Sequence, residues 1–228
     1  MDLIIDSFIV AVGLIISGDR DVLTITIRTL LIAICSTSIA AIIFVPIGGF
    51  IHIQDFPGKD WLIYIINTLF SVPTVFVGLV VFMTFSKTGP LGIFDILFTP
   101  SAIIIGHVLL IWPIITGLTI SALAGVHSDI RDTAVSLGAN KWQTMLITLE
   151  EARSGISTAL LLGFGRAISE IGLAIIVGGN IRGHTRTLTT AMSIETTTGN
   201  FELALALGMV LVCLALGINI LAGKFQGR

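Results

Sequence analysis

The amino-acid sequence predicts an all-α, polytopic membrane protein with about six transmembrane helices. Of the 228 residues, 54% are hydrophobic and only 11% are charged, whereas roughly 25% of residues are charged in soluble globular proteins. The mean hydropathy of +1.04 points the same way. The apolar residues lie in runs of about 20, the length that crosses a bilayer as a helix, and not in the alternating runs of about ten typical of membrane barrels. We therefore expect one transmembrane domain over residues 1–228.

Six apolar runs are the candidate spans. The first run is short for a full crossing, so we expect it to be tilted or to lie laterally in the membrane. The second run is expected to end at Pro46 and Gly48, because proline interrupts a helix. Pro73 and Gly78 are expected to break the third run near its middle. The runs cover residues 3–16, 22–50, 62–85, 101–124, 154–178 and 203–222.

The broken third run is a candidate gate. A helix break at membrane depth is tolerated only where protein or a water-filled cavity satisfies the freed backbone groups. The stretch from Ser71 to Leu79 is therefore expected to face the interior of a bundle or a pathway. Pro73, Thr74 and Gly78 are the candidate gate residues, and a simple packing kink is the alternative.

The longest polar segment, about residues 126–153, lies between the fourth and fifth runs. Asp129 and Asp132 favour a helix N-terminus, and Gly138 breaks the helix or permits a close backbone approach. A second short helix is expected to begin with the sequence KWQTM at Lys141. The pattern predicts a helix-glycine-helix segment rigid enough to transmit a push, with an ordinary amphipathic loop as the alternative.

This segment resembles the cytoplasmic coupling loop of permease subunits in ATP-binding cassette (ABC) importers, which reads Glu-Ala-Ala, three residues, then Gly. The sequence departs from that pattern with Asp at 132, Thr at 133, and ITLEEA from Ile147 where the family has an apolar residue followed by x-Leu-Pro. The resemblance implies a type I importer permease fold and contact with an ATPase subunit. The residues implied in coupling are Asp132, Thr133, Ala134, Gly138, Ala139 and Trp142.

The fifth run contains two ionisable residues, Arg166 and Glu170, which share one helix face because they are four residues apart. Ionisable groups within a span are costly unless paired or hydrated, and they commonly mark substrate or ion pathways. An internal ion pair is expected. It either fixes helix packing, or Arg166 lines a route and balances the charge of an anion. His107 in the fourth run is expected to be an ordinary core histidine.

The segment before the last run reads GNIRGHTRTL from Gly179 to Leu188. Together with the Arg-Ala-x-x-Glu pattern of the fifth run and the sequence FELALAL from Phe201, it resembles molybdate and tungstate permeases, the tungstate type most closely. Arginine and threonine donors suit a tetrahedral oxyanion without a metal, although the same donors could form loop hydrogen bonds. The candidate outer-face contacts with the oxyanion or a binding protein are Asn180, Arg182, Thr185 and Arg186.

The resemblance implies the permease of an ABC importer that moves an oxyanion, tungstate first, by alternating access. Its implied partners are a second copy of the chain, two ATPase subunits and an extracytoplasmic oxyanion-binding protein, at the cytoplasmic (inner) membrane of a prokaryote. The chain has no Gly-x-x-x-x-Gly-Lys-Ser/Thr sequence, so ATP and Mg are expected on the ATPase subunit. We expect no enzyme activity, cofactor or metal in this chain. With a formal net charge of -2, no nucleic-acid partner is expected.

Three other functions are compatible with parts of the sequence. A permease for molybdate, sulfate, phosphate or an amino acid would share the coupling segment, but outside the molybdate type it should lack the run from Asn180 to Leu188. A secondary transporter would show paired inverted repeats and several ionisable residues at the midplane. A purely structural membrane subunit would have no use for a glycine-broken polar segment.

Overall fold

A computed structural model describes residues 2–225, with the side chains of residues 6–220 and 223. Met1 and residues 226–228 of the predicted domain lie outside this range. Within residues 2–225 the chain forms α-helices, two short 3₁₀ helices and no strand, which confirms the all-α prediction. The α-helices are α1 (Asp2–Ile16), α2 (Arg20–Ile53), α3 (Lys59–Thr68), α4 (Thr74–Phe85), α5 (Pro100–Ala124), α6 (Ser128–Ser136), α7 (Lys141–Glu151), α8 (Arg153–Ile168), α9 (Gly172–Gly178), α10 (Leu188–Thr197) and α11 (Phe201–Phe225).

The described residues hold up to five candidate membrane spans. Helices α2, α5 and α11 are each long and apolar enough to cross a membrane. The segment from α3 to α4 is bent by 98°, the segment from α8 to α9 is bent by 60°, and each bent pair qualifies as one span. Helix α1 has 15 residues, fewer than the ~20 that a straight crossing requires. The structure thus confirms a polytopic all-α protein with up to five candidate spans and, as predicted, a short first helix.

Helix α2 does not end at Pro46, so that expectation was wrong. It continues through the proline to Ile53. Proline removes one backbone donor, and membrane helices tolerate this loss where neighbouring elements pack closely. Two glycines provide the close packing: a Cβ on Gly48 would lie 3.1 Å from Cβ of Thr119 in α5, and a Cβ on Gly49 would lie 3.1 Å from Cγ of Met145 in α7.

Helix α5 is the centre of the bundle. It contacts α2, α3, α4, α8 and α9, and most of it is buried, whereas most of α2 and α11 faces outward. Ile103, Ile111 and Ile115 are fully buried in α5 and belong to one apolar cluster with Leu173 of α9 and Ala33 of α2. A helix that is apolar on all sides suits the interior of a membrane bundle.

The crossing of α5 and α8 generates a stability prediction. A Cβ on Gly155 would lie 2.6 Å from the Cβ of Ala122, and neither atom can rotate away. Gly155→Ala should therefore destabilise the protein by about 2 kcal/mol, measured as a lower melting temperature in detergent. Gly13→Ala in α1 is the control, because no described atom lies within 4 Å of a Cβ there. Equal melting temperatures for the two variants would contradict this account of the crossing.

Candidate functional site

The two bent spans break at the same place in the bundle. Helix α4 begins at Thr74, and α9 begins at Gly172. The two starts are in contact, since a Cβ on Gly172 would lie 2.9 Å from Cγ2 of Val75 and 3.2 Å from Oγ1 of Thr74. The half-helices α4 and α9 then continue side by side. Both interruptions therefore belong to one site.

The break between α3 and α4 lies at Pro73, as predicted. Pro73 has extended backbone angles, φ -60° and ψ 129°, and directly precedes the first residue of α4. Gly78 does not break a helix, contrary to expectation, because it lies inside α4. Its role is close packing: a Cβ on Gly78 would lie 3.0 Å from Cα of Leu173 in α9. A bulkier residue at this position would separate the two half-helices.

The ion pair predicted in the fifth run lies at the second break. Nη1 of Arg166 donates to Oε2 of Glu170 at 2.8 Å, and the backbone N–H of Leu173 donates to Oε1 of Glu170 at 3.0 Å. Glu170 is only 3% exposed, so both carboxylate oxygens are paired where water is scarce. The carboxylate joins the end of α8 to the first turn of α9.

The fifth run is predicted as a span, and the structure shows that its helix is divided at residues 169–171. The division follows from the side chain of Glu170. Because that carboxylate accepts the N–H of Leu173, it replaces a helical carbonyl as the partner of this donor, which is how side chains compete with regular helix bonding.

Arg166 lies at the edge of a cavity. Its side chain is 33% exposed and borders an opening of about 800 Å³ between α5, α8 and α11. The lining includes Phe70, which comes shortly before Pro73, and the polar residues Ser169 and Asn219. Within residues 2–225, no group of three or more His, Cys, Asp or Glu side chains could hold a metal ion. A guanidinium in such an opening can attract an anion and donate hydrogen bonds to it.

Two of the predicted outer-face residues are buried within the segment that connects α9 to α10. Thr185 is fully buried; its Oγ1 donates to the carbonyl of Gly178 at 2.5 Å and accepts from the N–H of Ile181 at 2.9 Å. Oδ1 of Asn180 accepts from Oγ1 of Thr190 at 2.8 Å. In this conformation these side chains hold the segment together.

The two predicted arginines of this segment differ in exposure. Arg182 is exposed and pairs with Asp21 at the start of α2, and this hydrogen-bonded pairing raises the pKa of the guanidinium. Arg186 is mostly buried and pairs with Glu195 at 3.1 Å. Of the four predicted outer-face contacts, Arg182 is the one that is readily accessible in this conformation.

Sequence reasoning missed Arg28, which lies within α2. Its Nη2 donates to the carbonyl of Gly183 at 2.8 Å, and its Nη1 donates to the carbonyl of Arg186 at 3.3 Å. Helix α2 thereby holds the backbone of the segment that connects α9 to α10. The signal was available, because an arginine inside an apolar run is as unusual at position 28 as at position 166.

Helices α6 and α7 form the predicted helix-glycine-helix segment. Helix α6 ends at Ser136 and α7 begins at Lys141, as the pattern predicts. Between them Gly138 has a φ of 88°, a left-handed conformation that favours glycine. Asn140 then caps α7 in a reciprocal capping box with Gln143. These features fix where the first helix stops and the second begins.

The segment presents apolar side chains at one end of the bundle. Leu137 and Trp142 are 83% and 59% exposed. Of the six predicted coupling residues, Ala134 is buried and Ala139 is half-buried, and the exposed ones are Asp132, Thr133, Gly138 and Trp142. Large exposed apolar side chains next to polar ones are typical of a surface that binds another protein.

Helix α7 is attached to the end of α2. Nζ of Lys141 donates to Oε1 of Gln54 at 3.0 Å, and Met145 is buried where α7 passes Gly49. The exposed segment is thus firmly joined to a membrane-spanning helix.

Known proteins are similar to this chain over nearly its full length. Residues 44–228 match the family described as "Binding-protein-dependent transport system inner membrane component". The chain is 41% identical over 210 residues to a probable anion ABC transporter permease protein of Haloferax volcanii, with 90% of each chain covered. It is 38% identical over 226 residues to the tungstate uptake system permease protein TupB of Peptoclostridium acidaminophilum, with 99% of each chain covered.

The fold is also similar to a solved transporter. A chain of the MetNI methionine ABC transporter in an inward-facing conformation superposes with a TM-score of 0.71 at 19% identity, covering 91% of this chain and 93% of that one. The family match begins within α2 and includes both broken spans and the α6–α7 segment. The chain therefore belongs to the family of inner membrane components of binding-protein-dependent transport systems, the ABC importer permeases that the coupling segment resembles.

Proposed function

We propose that this chain is the permease through which an ABC importer moves tungstate across the cytoplasmic membrane of a prokaryote. The observation that carries the proposal is the position of Arg166, which borders a cavity beside the meeting point of two broken spans. The relative named as a tungstate permease is similar over nearly its full length. Tungstate is a tetrahedral dianion, whose oxygens accept hydrogen bonds from a guanidinium.

The ion pair of Arg166 and Glu170 suits an anion that binds briefly during transport, not one that remains bound. Glu170 neutralises Arg166 at 2.8 Å, so the pair carries no net charge when the route is empty. An arriving oxyanion competes with the carboxylate for the guanidinium, and Arg166 then lowers the electrostatic cost of an anion at membrane depth. Because the carboxylate remains nearby, the site binds the anion only weakly, which permits its release.

A second copy of this chain completes the route. Beside the partly exposed Arg166, Leu162 of α8, Ser169 directly after α8 and Asn219 of α11 are exposed. Polar groups at membrane depth are costly against lipid, so this face requires a partner or water. In a twofold-symmetric pair the same face of α8 lies on both sides of the axis. The homodimer thus encloses a polar route between apolar outer surfaces.

The other partners bind at the two ends of the bundle. Two ATPase subunits contact the exposed α6–α7 segments, and there they bind ATP and Mg, so this chain transfers no chemical group itself. An extracytoplasmic binding protein delivers the oxyanion near Arg182. Movement of the ATPase subunits shifts α6 and α7, and the break at Pro73 and Thr74 opens alternately to the two sides.

Reconstituted transport tests the proposal. Vesicles that contain this chain with its ATPase and binding protein should take up tungstate only with ATP, and more efficiently than sulfate; molybdate uptake shows how far the route separates the two similar oxyanions. Gly138→Val should reduce uptake about tenfold or more, because a β-branched residue is strained at a φ of 88°. Gly138→Asn should retain more uptake, since Asn tolerates this conformation. ATP-independent uptake, or an unaffected Gly138→Val complex, would contradict the coupling mechanism.

Substitution of Arg166 tests the route itself. Arg166→Gln should lower tungstate uptake about tenfold. The control is Lys87→Gln, which removes an exposed cation in another loop and should have little effect. The double variant Arg166→Gln/Glu170→Gln separates two causes, because it leaves no unpaired carboxylate. If the double variant transports like wild type, the pair is structural and Arg166 does not contact the anion.

Cross-linking tests the homodimer. With Cys35 and Cys213 replaced by Ser, Leu162→Cys in the exposed face of α8 should form a disulfide between two copies in native membranes. Ile9→Cys is the control: Ile9 is somewhat more exposed than Leu162 but lies in α1, which packs on α11, and it should form no such disulfide. A disulfide at Ile9 with none at Leu162 would place the interface elsewhere.

A further inference from the structure

His107 is a buried histidine of α5 without a hydrogen-bond partner. Its side chain is only 3% exposed, and neither ring nitrogen makes a hydrogen bond within the described part of the chain. A neutral imidazole has one N–H donor and one acceptor. Buried polar groups in native proteins are nearly always paired, and an unmatched donor is unfavourable. We therefore expect the His107 ring to gain a hydrogen-bond partner in another conformation of the protein.

The position of His107 identifies that partner. Helix α5 packs on the first turn of α9, since a Cβ on Gly106 would lie 2.6 Å from Cδ2 of Leu173. The N–H of Leu173 is one of the two donors that hold the Glu170 carboxylate. Among the described residues, Glu170 and Arg166 are the charged groups that act electrostatically on His107. The nearby acceptor that carries a negative charge is the carboxylate of Glu170.

We propose that His107 is the alternative partner of the Glu170 carboxylate during transport and thereby a positioning residue for Arg166. This inference rests on the proposed oxyanion route. In the conformation described here, Glu170 holds Arg166. When an oxyanion reaches the guanidinium, the Glu170 carboxylate turns to the ring N–H of His107 and leaves Arg166 free for the anion. The neutral ring already has a donor, so no proton is transferred.

The exchange keeps the buried carboxylate paired at every stage. One oxygen remains with the N–H of Leu173 while the other changes partner from Arg166 to His107. Without the histidine, release of Arg166 would leave a charge within the membrane with one hydrogen bond fewer, which is costly. His107 therefore lowers the barrier to anion entry and contributes little to the conformation in which its nitrogens are unpaired.

A pair of substitutions separates this role from core packing. His107→Leu removes both nitrogens at similar volume, and His107→Gln retains an N–H donor. Thr119→Val is the control, because Oγ1 of Thr119 is also buried in α5 with no hydrogen-bond partner among the described residues. Each variant is studied in the full complex by ATP-dependent tungstate uptake and by melting temperature.

We expect uptake and stability to respond in opposite ways. His107→Leu should reduce uptake about tenfold by removing the alternative partner, yet leave the melting temperature unchanged or higher, since it removes unmatched polar atoms. His107→Gln should keep uptake within about threefold of wild type, because its amide donates to the carboxylate. Thr119→Val should leave uptake unchanged.

Three results would overturn the inference while the proposed function stands. The first is full uptake by the His107→Leu complex. The second is a loss of both uptake and melting temperature in that complex, which indicates a packing role or a bridging water. The third is a His107→Gln complex as inactive as the His107→Leu complex. A wild-type complex that takes up no tungstate, molybdate or sulfate with ATP would overturn the proposed function and this inference together.

Discussion

The buried carboxylate of Glu170 is the constraint around which this bundle is arranged. A charge at membrane depth must be neutralised and hydrogen-bonded, and the chain meets both requirements with Arg166 and the N–H of Leu173. The backbone carbonyl of Glu170 also accepts from Oγ1 of Thr189 in α10 at 2.6 Å. One residue thus joins α8, α9 and α10. The break in the last but one span exists because this side chain replaces a helical hydrogen bond.

The break at Glu170 and the break at Pro73 are mechanically linked. Thr74 at the start of α4 and Gly172 at the start of α9 are in contact, and Gly78 packs on Leu173 one turn further along. The proposed change in the partner of Glu170 would shift the first turn of α9, and with it α4, because the two half-helices pack closely. Under the proposed function, anion arrival at Arg166 and the opening of the gate are coupled through this set of contacts.

The sequence predicts most of the spans and less of the site. Apolar runs suffice for the helices, and Pro73 and Gly138 mark real interruptions because their backbone preferences are local. Pro46 fails as a helix end because tertiary packing around Gly48 and Gly49 compensates for the lost donor. The break after α8 has no proline signal, since a side chain causes it. Thr185 is a donor that the fold uses internally, and no local pattern distinguishes such a donor from one that faces a ligand.

Because α2 continues through Pro46, it is one long helix that reaches two separate parts of the bundle. Its 34 residues correspond to a length of about 51 Å. Near its start Asp21 pairs with Arg182 of the segment that connects α9 to α10, and directly after its end Gln54 accepts from Lys141 of α7. Such a helix acts as a strut, stiff along its axis. Under the proposed function, a displacement of α7 is transmitted along α2 to the connection between α9 and α10 without passing through the route. The two ends of the bundle can then change together even while the path between them is closed.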